Sequence, residues 1–290
     1  MGTGLESGNK LNGFRPGIKS GRSLSQMRSG SVNGLNNGIM NRRNMQDPVL
    51  ISGVKAPILY WNAESCTVNA SNNVLSVTNL ITSSVETFSV SSDPNRVTGS
   101  VYGIKSSIDF DTTDFIATSQ ILNAKTEATL IIVAKPTGSS GQFLFNSIST
   151  TFADTPGDFT LVSNGGTITA NFIGDPNTTD CTITSYPLSV SEFYIITLKL
   201  RLTQNGTGIM PPRDVMEMYI NGIKQSNYTA TTYILGAASF SDIVLRFGGN
   251  SSQTLGGNSI ASGLVFDYFL SEAVQIRIEN YFRWYYGRNF

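Results

Sequence analysis

Beyond about position 50 the chain is a succession of short runs rich in Thr, Val, Ile, Phe and Tyr, broken by Gly, Asn, Asp and Pro. The stretch Phe193–Leu202 alternates most clearly. Ile196, Leu198, Leu200 and Leu202 fall on one side and Thr197, Lys199 and Arg201 on the other, which predicts a half-buried strand. Met216–Ile220 alternates too and runs into Asn221-Gly222, a pair that supplies the positive φ angles of a type I′ turn. Ile223–Ser226 is therefore expected to return as its partner. Ala128–Ala134 is apolar throughout after Thr129, as for a strand covered on both faces. Further strands are predicted at Pro57–Trp61, Val85–Val90, Gly103–Phe110, Gln142–Asn146, Phe159–Ser163, Thr167–Ile173, Ile243–Phe247 and Gly263–Phe269. Many short strands with frequent turn signals indicate an all-β, two-sheet antiparallel jelly-roll sandwich.

One helical pattern is present, at the end of the chain. Ser271 stands at an N-cap position, with Glu272 in the first turn where the helix dipole favours an anion. Val274, Ile278, Tyr281, Phe282 and Tyr285 form the apolar stripe, and Gly287 follows as the left-handed stop. The helix is expected to pack on the sandwich, with its aromatic residues in the core.

Residues 1–50 follow neither period. Large apolar residues such as Leu11, Phe14, Leu24, Leu35 and Ile39 stand almost singly among Gly, Ser and Asn. Such a segment cannot bury a core face, so it is expected to be an extended arm in front of a folded domain at 51–290. Charge divides at the same place. Residues 1–48 hold seven basic and two acidic side chains, a net of +5, and the rest holds 13 basic and 18 acidic, a net of −5. The formal net charge of zero is their sum.

Composition narrows the chemistry. The chain has no histidine, which excludes Ser-His-Asp and Cys-His nucleophiles and His-containing zinc sites. Its two cysteines, Cys66 and Cys181, make neither a zinc cluster nor a disulfide framework, and whether they pair is open. Only 14% of residues are charged, so Ser, Thr, Asn and Gly must cover the surface. That suits a passive β-protein better than an enzyme.

Several stretches, taken in order, resemble the laminin-G-like / concanavalin A-like jelly-roll superfamily. Tyr60-Trp61-Asn62-Ala63 is similar to the opening W-x-D-A of such domains, and Ser107–Ile116 to their strand and turn around an F-D pair, with Thr112 in place of Gly. Ala128–Pro136 resembles the following strand, and Met218-Tyr219-Ile220-Asn221-Gly222 the hairpin. Leu245–Gly249, Gly263–Phe269 and Leu270-Ser271-Glu272 through Tyr286-Gly287 resemble the closing segments. The likeness covers residues 57–290. It implies a fold whose members include lectins, adhesion modules, glycoside hydrolases and structural modules of phage particles.

The hydrolases need two carboxylates about 5–5.5 Å apart on one face, at even spacing along a strand. Asp214 and Glu217 have odd spacing; Asp109 and Asp111 share a face but lie in the F-D turn. No enzyme is expected. Calcium would need converging loop oxygens, for which Asp154, Asp158, Asp175, Asp180, Asn171 and Asn177 are the candidates. Since Asp and Asn are also ordinary turn residues, no metal site and no cofactor are assigned.

The leading expectation is a non-enzymatic virion structural protein, a phage capsid decoration, head-fibre or tail component. Its arm would grip other virion proteins through Phe14, Arg15, Arg22, Leu24, Arg28, Leu35, Arg42 and Arg43. It would act on the virion, after synthesis in a host cytoplasm without a signal peptide, as part of a homo-oligomer or lattice. The alternative is a carbohydrate-binding or adhesion module of lectin type at a cell surface, with a host-surface glycan as partner. Nucleic acid ranks last, because Phe14 is the arm's one aromatic residue. No membrane span is expected.

Overall fold

A computed structural model of the chain describes residues 55–81, 88–111, 114–119, 121–136, 142–147, 158–172, 181–202, 209–210, 216–228, 233–234, 240, 244–249 and 258–287. The arm residues singled out above lie outside that range, as do Asp154, Asp175, Asn177, Asp180 and Asp214.

Strands dominate the regular structure of the described residues. It begins with β1 (Leu59–Asn62), β2 (Cys66–Val68), β3 (Val74–Val77), β4 (Phe88–Ser91) and β5 (Asn95–Val101). β6 (Lys105–Phe110), β7 (Phe115–Thr118), β8 (Glu127–Lys135), β9 (Gln142–Asn146) and β10 (Phe159–Asn164) follow. Next come β11 (Thr167–Phe172), β12 (Cys181–Thr184), β13 (Tyr194–Arg201), β14 (Ile209–Met210) and β15 (Met216–Ile220). The last are β16 (Ile223–Lys224), β17 (Asn227–Tyr228), β18 (Tyr233–Ile234), β19 (Arg246–Gly248) and β20 (Asn258–Phe266), before helix α1 (Glu272–Tyr285).

Two antiparallel sheets of eight strands form the layers. The first runs β16-β15-β13-β8-β20-β6-β5, with β1 also paired to β20; the second runs β17-β12-β11-β10-β9-β19-β7-β4. Between them lies the main core, where Leu130, Ile132, Leu198, Leu200, Met216 and Met218 of the first sheet oppose the second sheet's Leu144, Phe159, Leu161, Phe172 and Ile183. Its centre is aromatic: Phe247 meets Trp61 and Phe145 edge-on at 5.2 Å, and Phe145 stacks on Phe159 at 5.3 Å. Gly263 makes this possible, because a Cβ there would lie 2.5 Å from both Trp61 and Phe247.

The predicted fold class is therefore observed, and the two-faced burial expected of Ala128–Ala134 is complete. The Asn221-Gly222 turn is as read, with φ of 52° and 84°. Three readings need correction. The strand at Phe193–Leu202 is not half-buried: α1 covers the outer face of the first sheet, so Thr197 and Lys199 are buried as fully as Leu198. The return strand stops at Lys224, because Asn227–Tyr228 crosses to pair with β12 of the other sheet. The last strand begins at Asn258 and ends at Phe266, where the chain bends at Asp267, held by Lys55 at 2.6 Å and Lys125 at 3.0 Å.

Helix α1 starts and stops near the expected points, with Gly287 at φ 75°. Ser271 occupies the N-cap in extended backbone, yet its side chain makes no capping bond. Ile278, Tyr281 and Phe282 are buried against the first sheet, where Tyr60 meets the Phe282 ring at 6.4 Å and the Tyr281 hydroxyl at 3.4 Å. Gln275 and Glu279 are buried on the same stripe, which no apolar period would reveal. Both cysteines are buried and no disulfide joins them.

Candidate functional site

The covered outer face of the first sheet carries an unusual set of polar side chains. Register explains their grouping. Lys199 of β13 lies opposite Glu217 of β15 on one flank and Thr129 of β8 on the other; Thr197 lies opposite Tyr219, and Tyr219 opposite Lys224. Alternation puts all of them on the face away from the main core.

The segment leading into α1 is then pinned above them. The Thr129 hydroxyl donates to the Tyr268 carbonyl at 2.9 Å and accepts the Leu270 N–H at 3.1 Å, while the Phe269 N–H donates to Glu127 at 3.0 Å. The result is a cleft of about 530 Å³ between the sheet and the start of the helix. Lys199, Arg201, Glu217, Tyr219 and Lys224 line it from the sheet, and Phe269 to Glu272 from the helix side.

Charges inside it are held in place. Glu217 accepts the Tyr219 hydroxyl at 2.9 Å and a short contact from the Lys224 ammonium, and lies 3.6 Å from Lys199. Burial alone would raise its pKa, but these donors and cations bring it below the ordinary carboxylate value. Burial pulls the Lys199 ammonium downward, opposed by Glu217. That ammonium sits 4.6 Å from the Tyr219 ring centre and 5.2 Å from Phe269. Arg201 stacks on Phe269 at 4.2 Å and donates to Glu127 at 2.8 Å.

Glycoside hydrolysis requires one carboxyl kept protonated near neutral pH, and Glu217 is pushed the other way.

A second cleft, about 320 Å³, gathers Asp93, Asn95, Asp109, Asp111, Asp114, Asn258 and Ser259. It contains the aspartates of the F-D turn. Asp114 is buried, and its carboxylate accepts the N–H groups of Asp93 at 3.2 Å and Asp111 at 3.3 Å. Burial, with the Asp111 charge adding to it, raises the Asp114 pKa. This is a clamp on a turn. Among the described residues no group of three or more His, Cys, Asp or Glu is arranged to hold a metal ion. Of the loop candidates, Asn171 lies within β11 and bonds Thr160 and Thr182, and Asp158 is buried beside β10.

The first cleft was not singled out from sequence. Lys199 and Arg201 read there as a solvent face, and Glu217 only as half of a failed carboxylate pair. One part was legible: the Asn221-Gly222 hairpin brings Glu217 of β15 close to Lys224 of β16, whereas the pairing of β15 with β13, which adds Lys199, has no local signal.

No family model matches the chain, and no curated protein does either. Solved structures do. The receptor-binding domain of the botulinum neurotoxin C/D mosaic serotype superposes with a TM-score of 0.52 at 11% identity, over 77% of this chain and 51% of that one. The binding domain of botulinum neurotoxin DC in complex with SialylT gives 0.51 at 12% over 77% and 51%. The binding domain of Paraclostridial Mosquitocidal Protein 1 gives 0.52 at 12% over 79% and 52%. The chain shares their fold. It spans about half the length of each. Each of the three is described as a binding domain. No helix among the described residues is long and apolar enough to cross a membrane.

Proposed function

We propose that this protein is a non-enzymatic glycan-binding module of lectin type, acting at a cell surface, and that the ligand enters the cleft between the first sheet and the start of α1. The observation that carries the reading is the density of fixed polar groups there. Within one concavity of about 530 Å³ stand two ammonium groups, a guanidinium, two hydroxyls and two carboxylates, bordered by Phe269 and Leu270. That volume lies in the range of about 300–1,000 Å³ typical of small-ligand sites. A sugar ring offers the complementary pattern of hydroxyl donors and acceptors around an apolar body. The binding domains that share the fold support the same direction, including the one in complex with SialylT.

A glycan array followed by titration calorimetry on the full chain tests the proposal. Binding of at least one glycan is expected, weakened at least tenfold by Lys224→Ala or Phe269→Ala. An array with no binder, or affinity untouched by both substitutions, rejects it.

A further inference from the structure

Three cations line the cleft, and both ammonium groups are already committed. Lys199 is buried, faces Glu217 at 3.6 Å and feels the charge of Glu272; Lys224 makes a short contact with the same Glu217. Arg201 is placed differently. Its side chain is 46% exposed, and Nε is the one nitrogen of its guanidinium that makes a hydrogen bond with a described residue. Glu127 balances its charge, so Arg201 is offered to a ligand as a hydrogen-bond donor and not as an unpaired cation.

Glu127 lies directly opposite Arg201 in the register of β8 and β13. One of its carboxylate oxygens accepts Arg201 Nε–H at 2.8 Å, and the other accepts the Phe269 N–H at 3.0 Å. The Phe269 ring in turn lies 4.2 Å from the guanidinium. A closed circuit results: carboxylate to guanidinium, guanidinium to ring, and the backbone of that ring back to the carboxylate. An exposed Glu–Arg pair alone stabilises little, because two long side chains must surrender their freedom. Here the aromatic face and the second carboxylate oxygen fix the same group from further directions. Thr129, next on that face of β8, holds Tyr268 and Leu270 on either side, so Phe269 cannot drift from under the guanidinium without breaking those bonds. A planar group held by its Nε edge and one face leaves the donors of both Nη groups free.

We infer that Arg201 is the side chain of the cleft that reads the sugar, donating from its Nη groups to sugar oxygens, and that Glu127 is the positioning residue that aims it and sets Phe269 against it. The inference rests on the glycan-binding reading and adds which group discriminates among glycans and what holds it ready. A donor fixed before the ligand arrives loses less freedom on binding than a mobile one.

Two measurements on the full-length protein test it. The first needs no ligand: the Arg201 Nε–H signal in ¹⁵N-labelled protein. A clamped guanidinium should keep that proton from fast exchange with water. Glu127→Gln, whose amide nitrogen cannot accept, should release it or speed exchange at the Phe269 amide. Exchange at the rate of free arginine in the unmodified protein overturns the clamp, whether or not the variant folds. The second is one printed glycan array probed with the unmodified protein, Glu127→Gln, Arg201→Lys and the double variant. Arg201→Lys keeps the charge but loses the planar fork. Each single variant should weaken the glycans bound by the unmodified protein at least tenfold. The double variant should bind no worse than Arg201→Lys, because Glu127 acts through Arg201. Additive losses, or unchanged binding by either single variant, overturn the inference and leave the glycan reading intact. An array silent for the unmodified protein rejects the glycan reading itself, and the role of Arg201 falls with it.

Discussion

Gly248 lies at φ 91°, and a Cβ built there would fall 2.3 Å from the Phe110 ring, which is itself fully enclosed. Gly248→Ala must therefore strain the backbone and displace a core aromatic. A loss of about 2–4 kcal/mol is expected from the two effects, read as a lowered urea midpoint with unchanged slope. Glu279 tests a different balance. Its carboxylate accepts Thr197 at 3.0 Å and Gln275 at 2.8 Å through one oxygen, faces Arg283 at 3.8 Å and senses Lys199 from β13. Burial still dominates and raises its pKa above the unfolded value. The folded state thus holds this proton more tightly than the unfolded chain, so this group's contribution falls as pH rises through that window. The stability of Glu279→Gln relative to the parent should move in the variant's favour as pH rises above the ordinary carboxylate range. A difference flat in pH would show that the carboxyl titrates as if exposed. Neither residue was legible beforehand. Gly248 stood out only as part of the Leu245–Gly249 resemblance, and Glu279 reads as a charged position on a helix surface, because what buries them comes from elsewhere in the chain.

Elements whose signal is local were read correctly. The Asn221-Gly222 turn needs only its own two residues to adopt positive φ, and β8 only its own run of apolar side chains. β5 was missed for the opposite reason. As an edge strand it is half solvated, and Asn95-Arg96-Val97-Thr98-Gly99-Ser100-Val101 shows no apolar alternation. The two polar positions facing α1 on β13 misled in the same way, since a helix 70 residues further along covers them. The hairpin and helix are in direct contact: the Asn221 carbonyl accepts Arg283 at 2.8 Å, and a Cβ on Gly222 would lie 3.0 Å from Glu279. Gly222→Ala should therefore cost about 1–3 kcal/mol through its φ of 84° alone. It should also loosen the docked helix, seen as faster amide exchange in α1. Unchanged exchange would mean that the turn and the helix are energetically separate.

At the scale of the molecule, the described residues between Lys55 and Gly287 build one two-sheet sandwich. A fragment of residues 51–290 is expected to unfold in one cooperative transition and to bind glycan as the full chain does; loss of the cleft's affinity on removing residues 1–50 would contradict this. Both thiols give a second whole-molecule readout. Cys66 and Cys181 are buried, and burial pushes the Cys66 thiol up to about 12. Neither should react with a disulfide reagent at pH 8 until denaturant is added, when both should. Fold class and the closing helix were legible because repeated short strands and one strong helical stripe are properties of the chain itself. The cleft was not, because it is made by register across β8, β13 and β15 and by a segment pinned over them from residues 268–270.

The position of β20 has a consequence for how the protein is made. This strand is encoded near the end of the chain yet stands in the middle of the first sheet, joining β8 to β6 and pairing with β1. Until the ribosome has released it, β5 and β6 have no bridge to the rest of their sheet and β1 has no partner. The nascent chain must wait with open strand edges, in the state most exposed to misassembly. A premature stop anywhere before residue 258 should therefore yield insoluble product rather than a smaller working domain.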